Sequence, residues 1–292
     1  MRHPRILLIL ALFSVSTAAV FARFIPAVPA VSIGLWRMVF AAVILWGFHG
    51  LKRQASLSPE SRKYVLLAGI ALGVHFACYF GALKFTTVAA ATLLSTMSPV
   101  FTVIFEYIIL RRPWNRSVLG GVFLALMGAL LVQFSAIAGF SQFLLGNSLG
   151  VAASLCMALV LMVSEKIRRV EGALTFSRTI YAVAAVFLLL LTFALRRPVF
   201  SFSLEAYFWL FLLGLVPTVI GHTSFYYAIK WLSPTVVASV PLGEPIMASV
   251  WAWIFFLERP SPRLVAGGVL ILAGLYYIMS KQEETLTPDT VL

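Results

Sequence analysis

Acidic residues are scarce in this sequence. Asp and Glu together number ten in 292 residues, and the single aspartate, Asp289, stands near the C-terminal end. Glu244 lies deepest in an apolar run and has no second acid close to it in sequence. That arrangement offers no paired carboxylates for general acid and base work inside a membrane. The chain has no H-E-x-x-H helix and no G-x-x-x-x-G-K-[ST] loop, so neither a zincin-type hydrolase nor direct use of ATP is supported. Cysteine is nearly absent too. Cys78 and Cys156 both fall within apolar runs, where they read as small packing residues rather than a disulfide or metal pair. Charged residues of both signs make up 11% of the chain, where a soluble protein carries about a quarter.

Long apolar runs are abundant. Hydrophobic residues reach 61%, mean hydropathy is +1.00, and ten segments approach the roughly 20 residues that cross a bilayer. They are 5–23, 30–50, 64–84, 87–110, 117–135, 145–164, 174–195, 207–231, 233–257 and 263–280. The opening MRHPRILLILALFSVSTAAVFA has the look of a signal peptide. Its removal would leave the first half of the chain one helix short of the second, so it is read as span one. The fold class expected is all-α and polytopic, with the lipid bilayer as a partner. A net charge of +12 would suggest nucleic acid in a soluble protein, but here the basic residues sit in short loops between spans. With the N-terminus inside, fourteen Lys and Arg fall on the inner side and six on the outer. Both termini are therefore expected in the cytoplasm, in a prokaryotic inner membrane.

Self-comparison reveals a repeat. At an offset of 146 residues, Ala82 meets Ala228, Lys84 meets Lys230, Pro99 meets Pro245, Gly121 meets Gly267 and Gly128 meets Gly274. Five spans per half is an odd number, so the second half enters the membrane from the opposite side. Residues 1–139 form the first repeat, 140–281 the inverted second, and 282–292 a polar cytoplasmic tail. The two prolines and glycine of VPLGEP, Val240 to Pro245, should interrupt span nine near mid-membrane, and Pro99 marks the twin segment in span four. Interrupted helices at matching places in two inverted halves point to a carrier's binding site.

Candidate site residues follow from these two spans. Span four carries Thr92, Ser95, Pro99, Thr102 and Glu106 on one helical face, with Thr96 beside them. The stripe is either a cavity wall of hydroxyls or a close helix contact with each hydroxyl bonded to its own backbone. In span nine, Pro241 belongs to the row of small residues matching the span-four stripe, and Glu244 lies about 18 Å from either end of a helix, where an ionised carboxylate is expensive. Glu244 is thus either a proton-coupling or substrate-binding group, or a cap for the half-helix that follows. Glu106 lies close enough to the inner interface to pair with Arg111, Arg112 or Arg116. Arg37 and Arg178 superimpose in the second span of each half and read as orienting or packing charges.

His75 and His222 fall almost opposite each other in the repeat and suit proton relay or substrate bonding. Tyr79 and Tyr226 stand beside them, either as stacking walls for an amphipathic ligand or as interfacial belt residues. Gly69 and Gly73, like Gly121 with Gly128 and Gly267 with Gly274, mark packing faces, within the chain or in a dimer. The protein is read as a monomer or homodimer, with no metal and no cofactor beyond possible proton coupling.

The chain up to about Ser280 resembles the EamA-type members of the drug/metabolite transporter superfamily. The resemblance rests on Arg37 and Arg178, on HFACYFGALKFTTVAAATLLSTMSPVF at His75 to Phe101, and on VPTVIGHTSFYYAIKWLSPTVVASVPLGEPIMASVWAWIFFLERPS at Val216 to Ser261. It implies ten spans in two five-helix repeats around a cavity lined mainly by spans one, three, four, six, eight and nine, with five and ten behind. One departure is visible. Span nine exits through Leu257, Glu258, Arg259 and Pro260, whereas span four reads Leu110, Arg111, Arg112 and Pro113 without the acid. The function expected is secondary transport of a small organic metabolite by alternating access, as an exporter. An importer of a vitamin or amino acid on the same fold is the alternative, with a passive facilitator behind it.

Overall fold

Apolar runs in hydrocarbon must satisfy their own backbone groups, and helices do so within one segment. The computed structural model describes residues 4–51, 56–86, 88–113, 115–132, 144–257 and 262–282, which are helical with no strand among them. The repeat boundary near residue 139, the tail beyond Gln282 and the acidic exit motif at 258–260 lie outside the described residues.

Ten spans are seen. Span one is Pro4–Val15 and Thr17–Arg23, two is Ala30–Leu51, three is Pro59–Phe85, and four is Val88–Ser95 followed by Ser98–Ile108. Five is Arg116–Val132, six is Leu144–Arg168, seven is Ala173–Ala194, and ten is Pro262–Gln282. Eight runs through Leu204–Leu213, a π-helical stretch Gly214–His222 and Thr223–Ala228. Nine is Pro234–Ser239, a 3-10 turn Val240–Gly243 and Glu244–Phe256. Eight of the ten are long and apolar enough to cross a membrane, and the two shorter ones, five and ten, form a pair. Spans three, eight and nine begin at serine caps: Ser58, Ser203 and Ser233 accept the amides of Ser61, Ala206 and Val236.

Contacts between the halves obey the inversion. Span three packs on six as eight packs on one, and three on seven as eight on two. Two with seven, four with nine, and five with ten are pairs of equivalent spans, which meet on the axis relating the repeats. The glycines set the closest approach. A Cβ at Gly128 would stand 2.5 Å from the Gly267 carbonyl oxygen, and one at Gly274 would stand 2.6 Å from the Gly121 carbonyl oxygen. Gly121 and Gly128 thus interlock with Gly274 and Gly267 inside one chain. Gly69 and Gly73 likewise face Val183 and Phe187 of span seven.

Candidate functional site

The breaks in spans four, eight and nine lie around a chamber of about 60 Å³. Its wall comes from spans one, three, four, six, eight and nine, as the resemblance implied, and from Arg37 of span two.

The interruption in span nine has the cause read from the sequence, two prolines around a glycine. The interruption in span eight was not anticipated. Pro217 supplies no amide for the carbonyl of Leu213, four residues earlier, and the Thr218 hydroxyl takes that carbonyl at 2.9 Å. The turn widens into a π-helix, a form frequent at functional sites. Its signal was in the sequence as Gly214, Pro217 and Gly221, closely spaced inside an apolar run. Tyr181 of span seven steadies the segment, its hydroxyl 3.1 Å from both the Thr218 carbonyl and the Thr223 hydroxyl.

Arg37 reaches the same place. It is 2% exposed, and its Nε donates to the Thr218 hydroxyl at 2.6 Å. Its guanidinium carbon lies 4.4 Å from the centre of the Phe76 ring. Phe76 in turn sits edge-on to His75 at 4.8 Å and to His222 at 5.6 Å. An arginine read as an orienting or packing charge is therefore part of the cavity wall, held by the π-helical turn. His75 Nδ1 donates to the Ala153 carbonyl at 2.8 Å, which joins span three to span six. His222 shows no hydrogen bond to the described residues and faces the chamber.

Of the other candidates, Tyr79, Ser95, Thr96, Tyr226, Pro241 and Glu244 line the chamber. Tyr79 stacks parallel to His75 with ring centres 6.3 Å apart. Tyr226 is fully buried against Phe176 and Tyr181, and its hydroxyl has no partner among the described residues. The belt reading of these two tyrosines does not hold, because spans six and seven cover the ends of spans three and eight. Thr92, next to Tyr79, and Pro99, buried at the start of Ser98–Ile108, are not part of the wall. The span-four stripe divides between its two readings. Ser95, Thr96 and Thr102 hydroxyls bond the carbonyls of Thr92, Leu93 and Pro99, three residues back, yet Ser95 and Thr96 still border the chamber. Ser98 and Met157 also line it and were missed. The Glu244 carboxylate caps nothing among the described residues: it makes no hydrogen bond or ion pair there and faces the chamber.

Spans four and nine diverge across this chamber. At the end that carries Arg112 and Lys166, Ser98–Ile108 packs on Pro234–Ser239, and the Thr235 amide donates to Glu106 Oε1 at 3.1 Å. At the other end Val88–Ser95 leans on span six, while Glu244–Phe256 leans on span one through Trp251 Nε1 donating to Ser16 Oγ at 2.9 Å. Glu106 therefore does not take the arginine partner expected of it. Arg111 adopts a left-handed φ of 51°, which turns the chain so that Arg112 grips Glu165 of span six at 2.5 and 3.2 Å. Arg169 holds the same carboxylate at 3.0 Å. Arg178 is buried with its guanidinium over Trp46 at 4.5 Å, away from the chamber.

Broken helices in two inverted halves around a mainly apolar chamber that also holds Arg37, His75, His222 and Glu244 define a multi-pass membrane transporter. The chain belongs to the EamA-like transporter family, whose profile matches residues 5–134 and again 144–280. An uncharacterized transporter of Archaeoglobus fulgidus is 25% identical over 262 residues, 87% of this chain and 89% of its own length. The pseudopaline exporter CntI of Pseudomonas aeruginosa is 26% identical over 251 residues, 84% of each chain. A probable terminal-alkyne amino-acid exporter of Streptantibioticus cattleyicolor is 26% identical over 208 residues, 68% of this chain and 67% of its own. One solved crystal structure superimposes with a TM-score of 0.81 over 95% of this chain and 97% of the other, at 17% identity, a likeness of fold.

Proposed function

We propose that this transporter is a secondary carrier of the inner membrane, with both termini in the cytoplasm, that exports a small organic metabolite by alternating access. The observation that carries the reading is the divergence of spans four and nine, joined at the end bearing Arg112 and Lys166 and parted at the other. The inversion supplies the second state. Hinging at Thr96–Met97 and Val240–Gly243 would part Glu106 from Thr235 and bring the opposite halves together. The names of two relatives, each an exporter, support the direction. Glu244, a carboxylate in the chamber with no partner among the described residues, is the group assigned to proton coupling.

The test is counterflow in proteoliposomes, guided by metabolite profiles of medium and cytoplasm from cells making wild type, Glu244→Gln or no protein. A compound enriched in the medium only with wild type, and exchanged by the purified protein, is expected. Exchange by Glu244→Gln with unchanged rate and unchanged response to a pH gradient would remove Glu244 from the mechanism. Accumulation inside cells with depletion outside would reverse the direction.

A further inference from the structure

Beside the joint of spans four and nine lies a second cavity, of about 440 Å³, which shares no wall residue with the chamber. Glu106, Tyr107, Arg112, Asn115, Ser233 and Thr235 border it. It sits at the end bearing Arg112 and Lys166, the cytoplasmic end in the orientation proposed above. Tyr107, Ile108, Ile109 and Leu110 are exposed next to it, at the end of a membrane span, where protein meets lipid.

Several of its polar atoms are already used. Asn115 Oδ1 takes the Ser117 and Val118 amides at 3.0 and 3.2 Å, and Ser233 Oγ takes the Val236 amide. Two acceptors are left over. Glu106 gives Oε1 to the Thr235 amide at 3.1 Å, while its Oε2 takes no hydrogen bond from the described residues. The Thr235 hydroxyl lies near that carboxylate in a residue 1% exposed, and it bonds nothing among the described residues. Arg112, on the same cavity, shares Glu165 with Arg169, so two positive charges meet one negative and the surplus is positive.

Buried acceptors without donors are unfavourable. A primary ammonium answers both, because it brings three N–H groups and a charge opposite to that of Glu106. A quaternary ammonium brings the charge but no N–H for Thr235. An anion alone is repelled by Glu106, and a cation alone leaves the surplus at Arg112 unanswered. A head group with an ammonium and a phosphate a few atoms apart meets both needs. The exposed apolar side chains beside the cavity give its acyl chains a surface to lie on, which a water-soluble phosphoamine would not use.

We propose that this cavity is a lipid site for the head group of phosphatidylethanolamine, its ammonium on Glu106 Oε2 and Thr235 Oγ1 and its phosphate toward Arg112. The site stands apart from the chamber and depends neither on the cargo nor on the direction of transport. Because both sides of the joint contribute to it, the lipid ties spans four and nine together at this end.

The experiment is displacement of acyl-labelled fluorescent phosphatidylethanolamine from the purified full-length protein in detergent. The competitors are dioleoyl phosphatidylethanolamine, its N,N-dimethyl form, phosphatidylcholine and phosphatidylglycerol. Phosphatidylethanolamine is expected to displace at about tenfold lower concentration than phosphatidylcholine or phosphatidylglycerol, with the dimethyl form between. Glu106→Gln keeps an oxygen for the Thr235 amide, and Thr235→Val keeps that amide, so both preserve the joint. Each is expected to reduce phosphatidylethanolamine to the level of phosphatidylcholine. The comparison of lipids on wild type stands even if a variant fails to fold. Equal displacement by all four lipids, tighter binding of phosphatidylglycerol, or a preference that survives in both variants would overturn the proposal. Soluble sn-glycero-3-phosphoethanolamine is expected not to compete at the concentrations where the lipid saturates. Displacement by it as effective as by the lipid would assign the cavity to a cytoplasmic phosphoamine and overturn the lipid site.

Discussion

At the scale of single residues, Thr218 is the position on which the most depends. Its hydroxyl replaces the amide that Pro217 withholds from Leu213 and accepts from Arg37 Nε, so one oxygen serves two buried groups. Thr218→Val keeps the shape and removes the acceptor of the buried Arg37 Nε, a loss of about 1–3 kcal/mol by the penalty usual for a buried polar group left unpaired. A lowered unfolding midpoint in micelles would show it, and Tyr181→Phe should cost less because its carbonyl partner in the widened turn keeps other neighbours. Glu171, in the loop after span six, offers a pH-linked counterpart. Burial alone would raise its carboxyl, but the Ser58 amide at 2.9 Å, with the Ser58 and Ser61 hydroxyls, holds it below the ordinary 4.5. Because the folded value is the lower one, this stability is complete above about 4.5 and is lost as pH falls through the folded value. The stability gap between wild type and Glu171→Gln should therefore be flat near neutral pH and close in acid. Neither residue stood out in the sequence: a threonine after a proline and a glutamate in a polar turn are common, and only their partners, distant along the chain, give them weight.

Among elements, the helix breaks differ in how openly the sequence declared them. VPLGEP in span nine carries its two prolines and glycine within six residues, and the break lies there, at Val240–Gly243. In span four the break is at Thr96–Met97, just before Pro99, as the twin position required. Span eight looked regular because its lone proline sits in a strongly apolar run, where hydropathy conceals a local change of helical pitch. In spans four and nine the breaks separate halves with different neighbours: Ser98–Ile108 packs on Pro234–Ser239, and Glu244–Phe256 on span one. Glu106 joins two such halves through the Thr235 amide, and the equivalent of Glu106 in the second repeat is Ala252, so the latch exists at one end only. Glu106→Ala is expected to shift the protein toward opening at that end by about tenfold, since hydrogen bonds to charged groups contribute about 1.5–3 kcal/mol. A reactive cysteine at Thr235, in a background with Cys78 and Cys156 replaced, should then be labelled several-fold faster.

For the whole molecule, the ten spans and their inversion were legible from hydropathy and from five identities at one offset. What those signals did not carry was the set of contacts across the axis, because a repeat tells which residues are equivalent and not which of them touch. The glycines of spans five and ten show the difference. Their recurrence marked a packing face; the coordinates add that Gly121 meets Gly274 and Gly128 meets Gly267, each glycine against the counterpart of the other. Such reciprocity is the signature of an isologous interface, in which one patch recognises a second copy of itself. The chain thus preserves, within a single polypeptide, the geometry of a homodimer whose two subunits lie in opposite orientations. Two separately encoded halves, cut between Val132 and Leu144, should find one another in the membrane and restore transport when made together, and Gly128→Leu should abolish that reassembly well before it abolishes insertion of either half. Covalent linkage would then matter for making the pair unequal rather than for holding it together: once joined, one half was free to keep Glu106 and the other Glu244.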